Sequence, residues 1–388
     1  MADARSLAGG ALADALRDAR ARTLAWTFDL ESWDLPCRPG VNPTAWELAH
    51  VAWFAEFWTL RGPHWLGGDG YLHAARAARL AAPDVELDSA RLPHDARWLL
   101  APRERGALAA LLAAQLDAVL AALQGLGDDD AALYFHRLAL FHEDMHAEAF
   151  AWTRAALGWP APAGVALPRC VPRAPLSCAG GEVTIGRPAP RPGFAFDNEG
   201  DAQAVRLATY EIDATPVSAG RYAEFVDAGG YDEPAYWPGA AGAWRATAGR
   251  SQPERWRRAA AGGWEVRWFD RWQPLDPDQP VIHVNAWEAE AWCRWAGRRL
   301  PSAAEWEAAA PTLDWGRGVW EWTADDFQPY PGFAPGPYRD YSQPWFGSHR
   351  ELRGGAFATA DRLLDPCYRN FFTPERGDVF AGFRSVAY

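Results

Sequence analysis

A proline-rich stretch, PAPAGVALPRCVPRAPLS (residues 160–177), divides this chain into two textures that no single structural plan accommodates. Its prolines remove helix donors and clash with the preceding turn, so no helix runs through it. Before it the sequence is Ala/Leu-rich with helical periodicity; after about residue 179 short strand-like pieces alternate with Gly/Pro/Trp-rich loops. A chain of 388 residues also exceeds what one hydrophobic core usually serves. The expected organisation is a helical domain over 1–160, a linker over 161–179 and a second domain over 180–388.

Four helices are predicted in the first part, over about 8–28, 43–61, 103–125 and 130–157. Asn42 is a plausible N-cap for the second, with Pro43 at the first helical position. The acidic run Asp128 to Asp130 favours the N-terminus of the fourth. Four helices with one long connection, about 62–102, read as a four-helix bundle. In the second part GGEVTIG, AVRLATYEID, LRGGAF and AGFRSVAY read as strands, and only 218–228 and 285–297 stand out as helices. That pattern is an α+β domain held largely by its loops. The 23 tryptophans suit such a body, stapled by aromatic packing with some left to line a pocket.

The formal charge of −12 and pI of about 5.3 argue against nucleic acid or an anionic membrane as partner. No apolar run is expected to span a bilayer, which takes about 20 residues. The mixed charges of MADARSLAGGALADALRDAR do not resemble a signal peptide. Five scattered cysteines (Cys37, Cys170, Cys178, Cys293, Cys367) indicate no disulfide framework, so a reducing, cytoplasmic location is expected.

The strongest chemical signal is HEDMHAE, His142 to Glu148, in the fourth predicted helix. His142 and His146 are spaced i, i+4, so both imidazoles project from one face and suit a single metal. The third ligand should come from a facing helix, and His50 in TAWELAHVAWFAEFWTL is the candidate. Trp46, Trp53, Phe54 and Phe57 mark the buried stripe on which it lies. Glu148 would complete a two-His-one-carboxylate set, but at about 100° per residue it lies roughly 200° round the helix from His146. His64, His73, His94, His136, His283 and His349 lack such spacing. Three imidazoles alone do not choose between iron, zinc, copper and nickel.

RLPSAAEWEAAA (299–310), GVWEWT (318–323), LRGGAF (352–357) and AGFR (381–384) resemble the formylglycine-generating-enzyme-like domain, which has a C-type-lectin-like fold. LAHVAWFAEFWTLR and HxxxHxE resemble the DinB-like bundle. This pairing, in this order, is similar to the ergothioneine-synthase family, iron enzymes that join a thiol sulfur to C2 of the hercynine imidazole. The resemblance implies Fe(II) held by His50, His142 and His146, O₂ as co-substrate, and small-molecule substrates with no protein partner. It places Arg369, Asn370 and Phe371 at the imidazole substrate, beside Tyr368, and implies a tyrosine proton donor among Tyr330, Tyr338 and Tyr341.

Two departures bear on the reaction. Formylglycine generators proper carry a cysteine pair near the C-terminus, where Cys367 stands alone. Family members that use γ-glutamylcysteine can carry an acidic residue where this chain has Phe372. NPTAWELAHVAWFAEFW, HDARW (94–98) and LFHEDMHAEAF are similar to the selenoneine-synthase branch, which joins hercynine to a selenosugar, and Arg97 falls near that branch's donor site. The expected reaction is therefore C–Se bond formation. The alternatives are an ergothioneine-type sulfoxide synthase using cysteine or γ-glutamylcysteine, a zinc-dependent thiol transferase, and a non-catalytic lectin-like binding protein.

Overall fold

The computed structural model describes residues 4–79, 83–101, 103–188 and 193–387. The chain divides into a helical unit, residues 1–157 with 191–195, and a second unit, residues 158–190 with 196–388.

The helical unit is built on α1 (Gly9–Thr27) and α2 (Thr44–Leu60), then a connection holding the hairpin β1 (His64–Leu66) and β2 (Leu72–Ala74) and the short α3 (Asp84–Leu87), and finally α4 (Arg105–Gln124) and α5 (Asp130–Leu157). α1 packs on α5, and α2 packs on both α4 and α5. Leu12, Leu16, Ala55, Val119, Leu123, Leu133 and Leu140 form a shared core. α2 is buried around almost its whole circumference, including Val51, Ala52 and Glu56 outside the expected stripe. A helix apolar on all sides needs cover on all sides, and here the connection to α4 adds to the neighbouring helices. Asn42 does not cap α2. Pro43 occupies the N-cap position, and the Asn42 amide oxygen accepts from Arg97 Nη1 at 2.6 Å.

α4 corrects the expectation about apolar runs: by length and composition alone it is apolar enough to cross a membrane. It packs instead as a bundle helix, burying Leu108, Leu112, Val119 and Leu123.

In the second unit β3 (Leu176–Cys178), β4 (Gly181–Ile185), β5 (Gln203–Leu207) and β6 (Tyr210–Ile212) precede α6 (Ala219–Asp227) and α7 (Ala240–Ala248). A meander follows, β7 (Trp256–Arg258), β8 (Trp264–Trp268) and β9 (Arg271–Pro274), then α8 (Ala286–Trp295), β10 (Arg298–Arg299) and α9 (Ala303–Ala309). The chain ends through β11 (Trp320–Asp326), β12 (Arg350–Gly354), β13 (Asn370–Phe372), β14 (Ala381–Gly382) and β15 (Val386–Ala387). Two four-stranded sheets, ordered β10-β15-β6-β3 and β13-β12-β11-β14, carry the unit. The proline-rich run lies within this unit. Cys170 N donates to Asp278 O, Gln279 Nε2 donates to Leu167 O, and Leu176–Cys178 pairs with β6.

The phrases that carry the family resemblance meet at buried ion pairs. Arg384 of AGFR pairs with Glu321 of GVWEWT, both fully buried, and Glu321 accepts from Trp306 Nε1 of RLPSAAEWEAAA at 2.8 Å. Arg353 of LRGGAF pairs with Glu351 at 2.7 Å and Glu307 at 2.9 Å. Glu351 also accepts from Arg369 Nη2 at 2.6 Å. These pairs cross-link short elements through a core that also buries Trp292, Trp306, Trp320, Trp322 and Phe383.

Candidate metal centre

Helix α2 presents His50 and α5 presents His142 and His146, one turn apart, and the two helices pack directly. Donor nitrogens of the three rings all lie within 4.8 Å of one another. Ring centroids are 5.1 Å apart for His50 and His142, 5.0 Å for His50 and His146, and 4.4 Å for His142 and His146.

Hydrogen bonds fix which nitrogens face inward. His50 Nδ1 lies 2.7 Å from the Leu87 carbonyl, which only accepts, so the ring proton sits on Nδ1 and Nε2 keeps its lone pair. His146 Nδ1 lies 2.6 Å from Glu47 Oε1, a carboxylate that likewise accepts. Trp46 stacks on His50 with centroids 5.0 Å apart, and Phe54 lies flat on His142 at 3.5 Å. Burial first, and the neighbouring imidazoles second, hold His50 and His142 well below the ordinary histidine range. Both rings are therefore neutral at physiological pH, the form in which imidazole ligates. The residues fit a first-row divalent cation, with coordination positions left for other ligands. Among the described residues Glu148 does not join this donor cluster.

The connection to α4 holds the arrangement in place. Trp46 Nε1 donates to Glu86 O and Trp53 Nε1 to Asp84 Oδ1, each at 2.8 Å, and Asp84 pairs with Arg61. Those contacts seat α3, whose last carbonyl orients His50. The Arg97 guanidinium lies 4.2 Å from the Trp46 ring centroid. Beside it a cleft of about 770 Å³ is lined by Trp33, Trp46, Arg97, Trp98, Glu86 and Glu104 among others. Sequence reasoning found the three histidines but not Glu47, whose i, i+3 spacing to His50 was the available signal. The Leu87 carbonyl left no signal, being backbone in a long connection.

The remaining candidates lie in the second unit. Arg369 is buried, its donors taken by Glu351, Asn198 O and Gln328 O, so it supports the loop rather than offering a free cation. Asn370 Oδ1 accepts from Phe371 N at 2.9 Å. Phe371 stacks on Phe327 at 4.1 Å and has Tyr341 at 5.9 Å. Phe372 lies under the Arg376 guanidinium, 5.1 Å from its ring centroid. The three tyrosines differ in their surroundings. Tyr330 accepts from Arg353 Nη2 at 2.9 Å and is pushed above the ordinary phenol range by burial. Tyr341 is buried, donates to Tyr368 at 3.1 Å and is pushed further up, by burial and then by Tyr368. Tyr338 is half-buried, with its ring 6.0 Å from that of Tyr341.

Comparison with known proteins agrees with this division. Residues 15–156 match the DinB superfamily, and residues 166–316 and 312–388 match the sulfatase-modifying factor enzyme 1-like domain. The hercynine oxygenase of Mycolicibacterium smegmatis is 31% identical over 96% of this chain and 97% of its own length. That of Mycobacterium tuberculosis is 32% identical over the same shares. The formylglycine-generating enzyme of Streptomyces coelicolor is 28% identical over 59% of this chain and 93% of its own. Full-length similarity of this kind, with a helical unit that gathers three histidines and a second unit of the sulfatase-modifying-factor type, leads to one assignment: the chain belongs to the ergothioneine-synthase-like family of the hercynine oxygenases.

Proposed function

We propose that this protein is a non-haem iron(II) enzyme that uses O₂ to join a chalcogen to C2 of the hercynine imidazole, with His50, His142 and His146 as the iron ligands. The observation that carries the reading is a three-imidazole cluster, His50 and His142 buried and His146 half-buried, with Nδ1 of His50 and of His146 tied to an acceptor, in a chain related along its length to hercynine oxygenases. Bound iron(II) supplies the O₂ chemistry.

The protein's own groups bind, orient and protect. The Leu87 carbonyl and Glu47 hold two ligand rings in one tautomer and orientation. Trp46 and Phe54 cover His50 and His142 and keep solvent from them. In the second unit Phe371 offers an aromatic face to a trimethylammonium, an attraction of about 0.5–2 kcal/mol. The proton donor we propose lies among Tyr330, Tyr338 and Tyr341: the Tyr341 O–H is given to Tyr368, whereas Tyr330 accepts from Arg353 and keeps its own O–H to donate.

Kinship supports a thiol donor, cysteine or γ-glutamylcysteine, as in an ergothioneine-type sulfoxide synthase. A second reading, a selenosugar donor, is favoured by a specific position. Phe372 places an aromatic ring under Arg376, where an acidic residue would meet a donor's amino group. The selenosugar is the donor we propose for this chain. The assay offers purified protein, Fe(II), O₂ and hercynine either a selenosugar or each thiol. Faster turnover with the selenosugar is expected, and efficient coupling with the thiols alone overturns the selenium reading. Stoichiometric iron retained by a folded His146→Ala variant overturns the metal assignment.

A further inference from the structure

Three groups unused by the proposed reaction meet at the surface of the helical unit. Cys37 lies between α1 and α2, and His94 and Asp95 begin the turn ahead of α4. Their donor atoms all lie within 4.8 Å of one another. Asp95 Oδ1 is 3.6 Å from Cys37 Sγ and 2.8 Å from His94 Nδ1.

The second nitrogen of His94 is held from outside the cluster. His94 Nε2 lies 2.8 Å from the Val41 carbonyl, which only accepts, so a neutral ring keeps its proton there. Nδ1 then directs a lone pair at a carboxylate oxygen 2.8 Å away, two acceptors facing each other. A divalent cation set beside Nδ1 and Oδ1 would satisfy both acceptors.

We propose that Cys37, His94 and Asp95 form a second metal site, distinct from the three-histidine centre and selective for a soft or borderline divalent cation such as Zn²⁺. Thiolate, imidazole and carboxylate are zinc's protein ligands, and tetrahedral bonds of about 2.0–2.3 Å hold such donors a little over 3 Å apart. The Cys37 to Asp95 spacing already meets this. The Asp95 side chain is 86% exposed and free to swing the few tenths of an ångström that the nitrogen contact requires. Water would complete the set. The Val41 contact on the far nitrogen of His94 matches the outer hydrogen bond by which metal-bound histidines are usually oriented.

The site also has a structural consequence. Leu35 and Trp98, each near one of its halves, line the cleft beside Trp46 and are joined by a hydrogen bond from Trp98 Nε1 to Leu35 O. A metal bridging Cys37 to His94 would tie together the two segments that frame that cleft.

Cobalt(II) titration of the full chain tests the proposal, because only a thiolate ligand gives the near-ultraviolet sulfur-to-cobalt charge-transfer band. The band is expected in the wild type and in a His142→Ala/His146→Ala variant, is lost in Cys37→Ser, and is abolished by stoichiometric Zn²⁺. Absence of the band in the wild type overturns the site, as does its persistence in Cys37→Ser. Should the double histidine variant fail to fold, the comparison of wild type with Cys37→Ser decides alone, since an all-imidazole centre gives no such band.

Discussion

His146 presents Nε2 to the centre only while its far nitrogen is held, and Glu47 holds it from 2.6 Å. The carboxylate orients the ring, so its loss should weaken metal binding without removing a ligand. Glu47→Ala is expected to lower metal affinity by about 10–100-fold, with Glu47→Gln in between, measured by competition against a chromogenic chelator. Unchanged affinity in both variants would show that the pair is structural only. Helical spacing was enough to select His142 and His146, because i, i+4 fixes a shared face whatever the fold. It was not enough to find the groups behind them: Leu87 contributes a carbonyl, and no side-chain pattern reports where a carbonyl will point.

At the level of elements, long periodic segments were legible and short ones were not. The helix expected over 130–157 is Asp130–Leu157, and that expected over 285–297 is Ala286–Trp295. α3, α7, the hairpin β1–β2 and the meander β7–β9 were missed because a few residues of local preference cannot specify an element that distant partners complete. α9 left a readable mark that went unused, the capping box of Ser302 and Glu305. His283, just ahead of α8, shows how one element responds to pH. Burial, and then Arg255, hold it well below its ordinary value of 6.5. Its Nε2 accepts from Arg255 Nη1 at 2.8 Å, which requires a neutral ring. Below pH 6.5 the unfolded chain takes up a proton that the folded one refuses, so stability is highest above that value and declines as pH falls. His283→Asn should flatten the decline. Asn tolerates the backbone φ of 63° found there and does not titrate. Melting temperatures of wild type and variant between pH 7.5 and 5.5 check this; parallel curves would clear His283 of the effect.

At the scale of the whole molecule, each of the two units is stabilised from within in its own way. The helical unit has an aliphatic core, and the second adds to its buried aromatic core charge pairs that cross-link strands of two to seven residues. Composition hinted at the difference through its Trp, Pro and Gly content, but which arginine meets which glutamate is decided by register. β12 places Glu351 and Arg353 two residues apart on one face, and the loop entering β13 brings Arg369 to the same carboxylate. Removing one member of such a set leaves buried charge unpaired, at a cost of about 3–5 kcal/mol. Glu351→Ala takes the carboxylate from Arg369 while Arg353 keeps Glu307, and the Arg369 contacts to Asn198 O and Gln328 O lose their anchor. The expected outcome is a large loss of stability confined to the second unit, seen as an early transition on thermal unfolding. The helical unit, with its own core and all three histidines, should still bind metal stoichiometrically at temperatures between the two transitions. A single transition that carries metal release with it would show instead that the units fold as one cooperative body, and that the charge network supports the metal centre as well as its own domain.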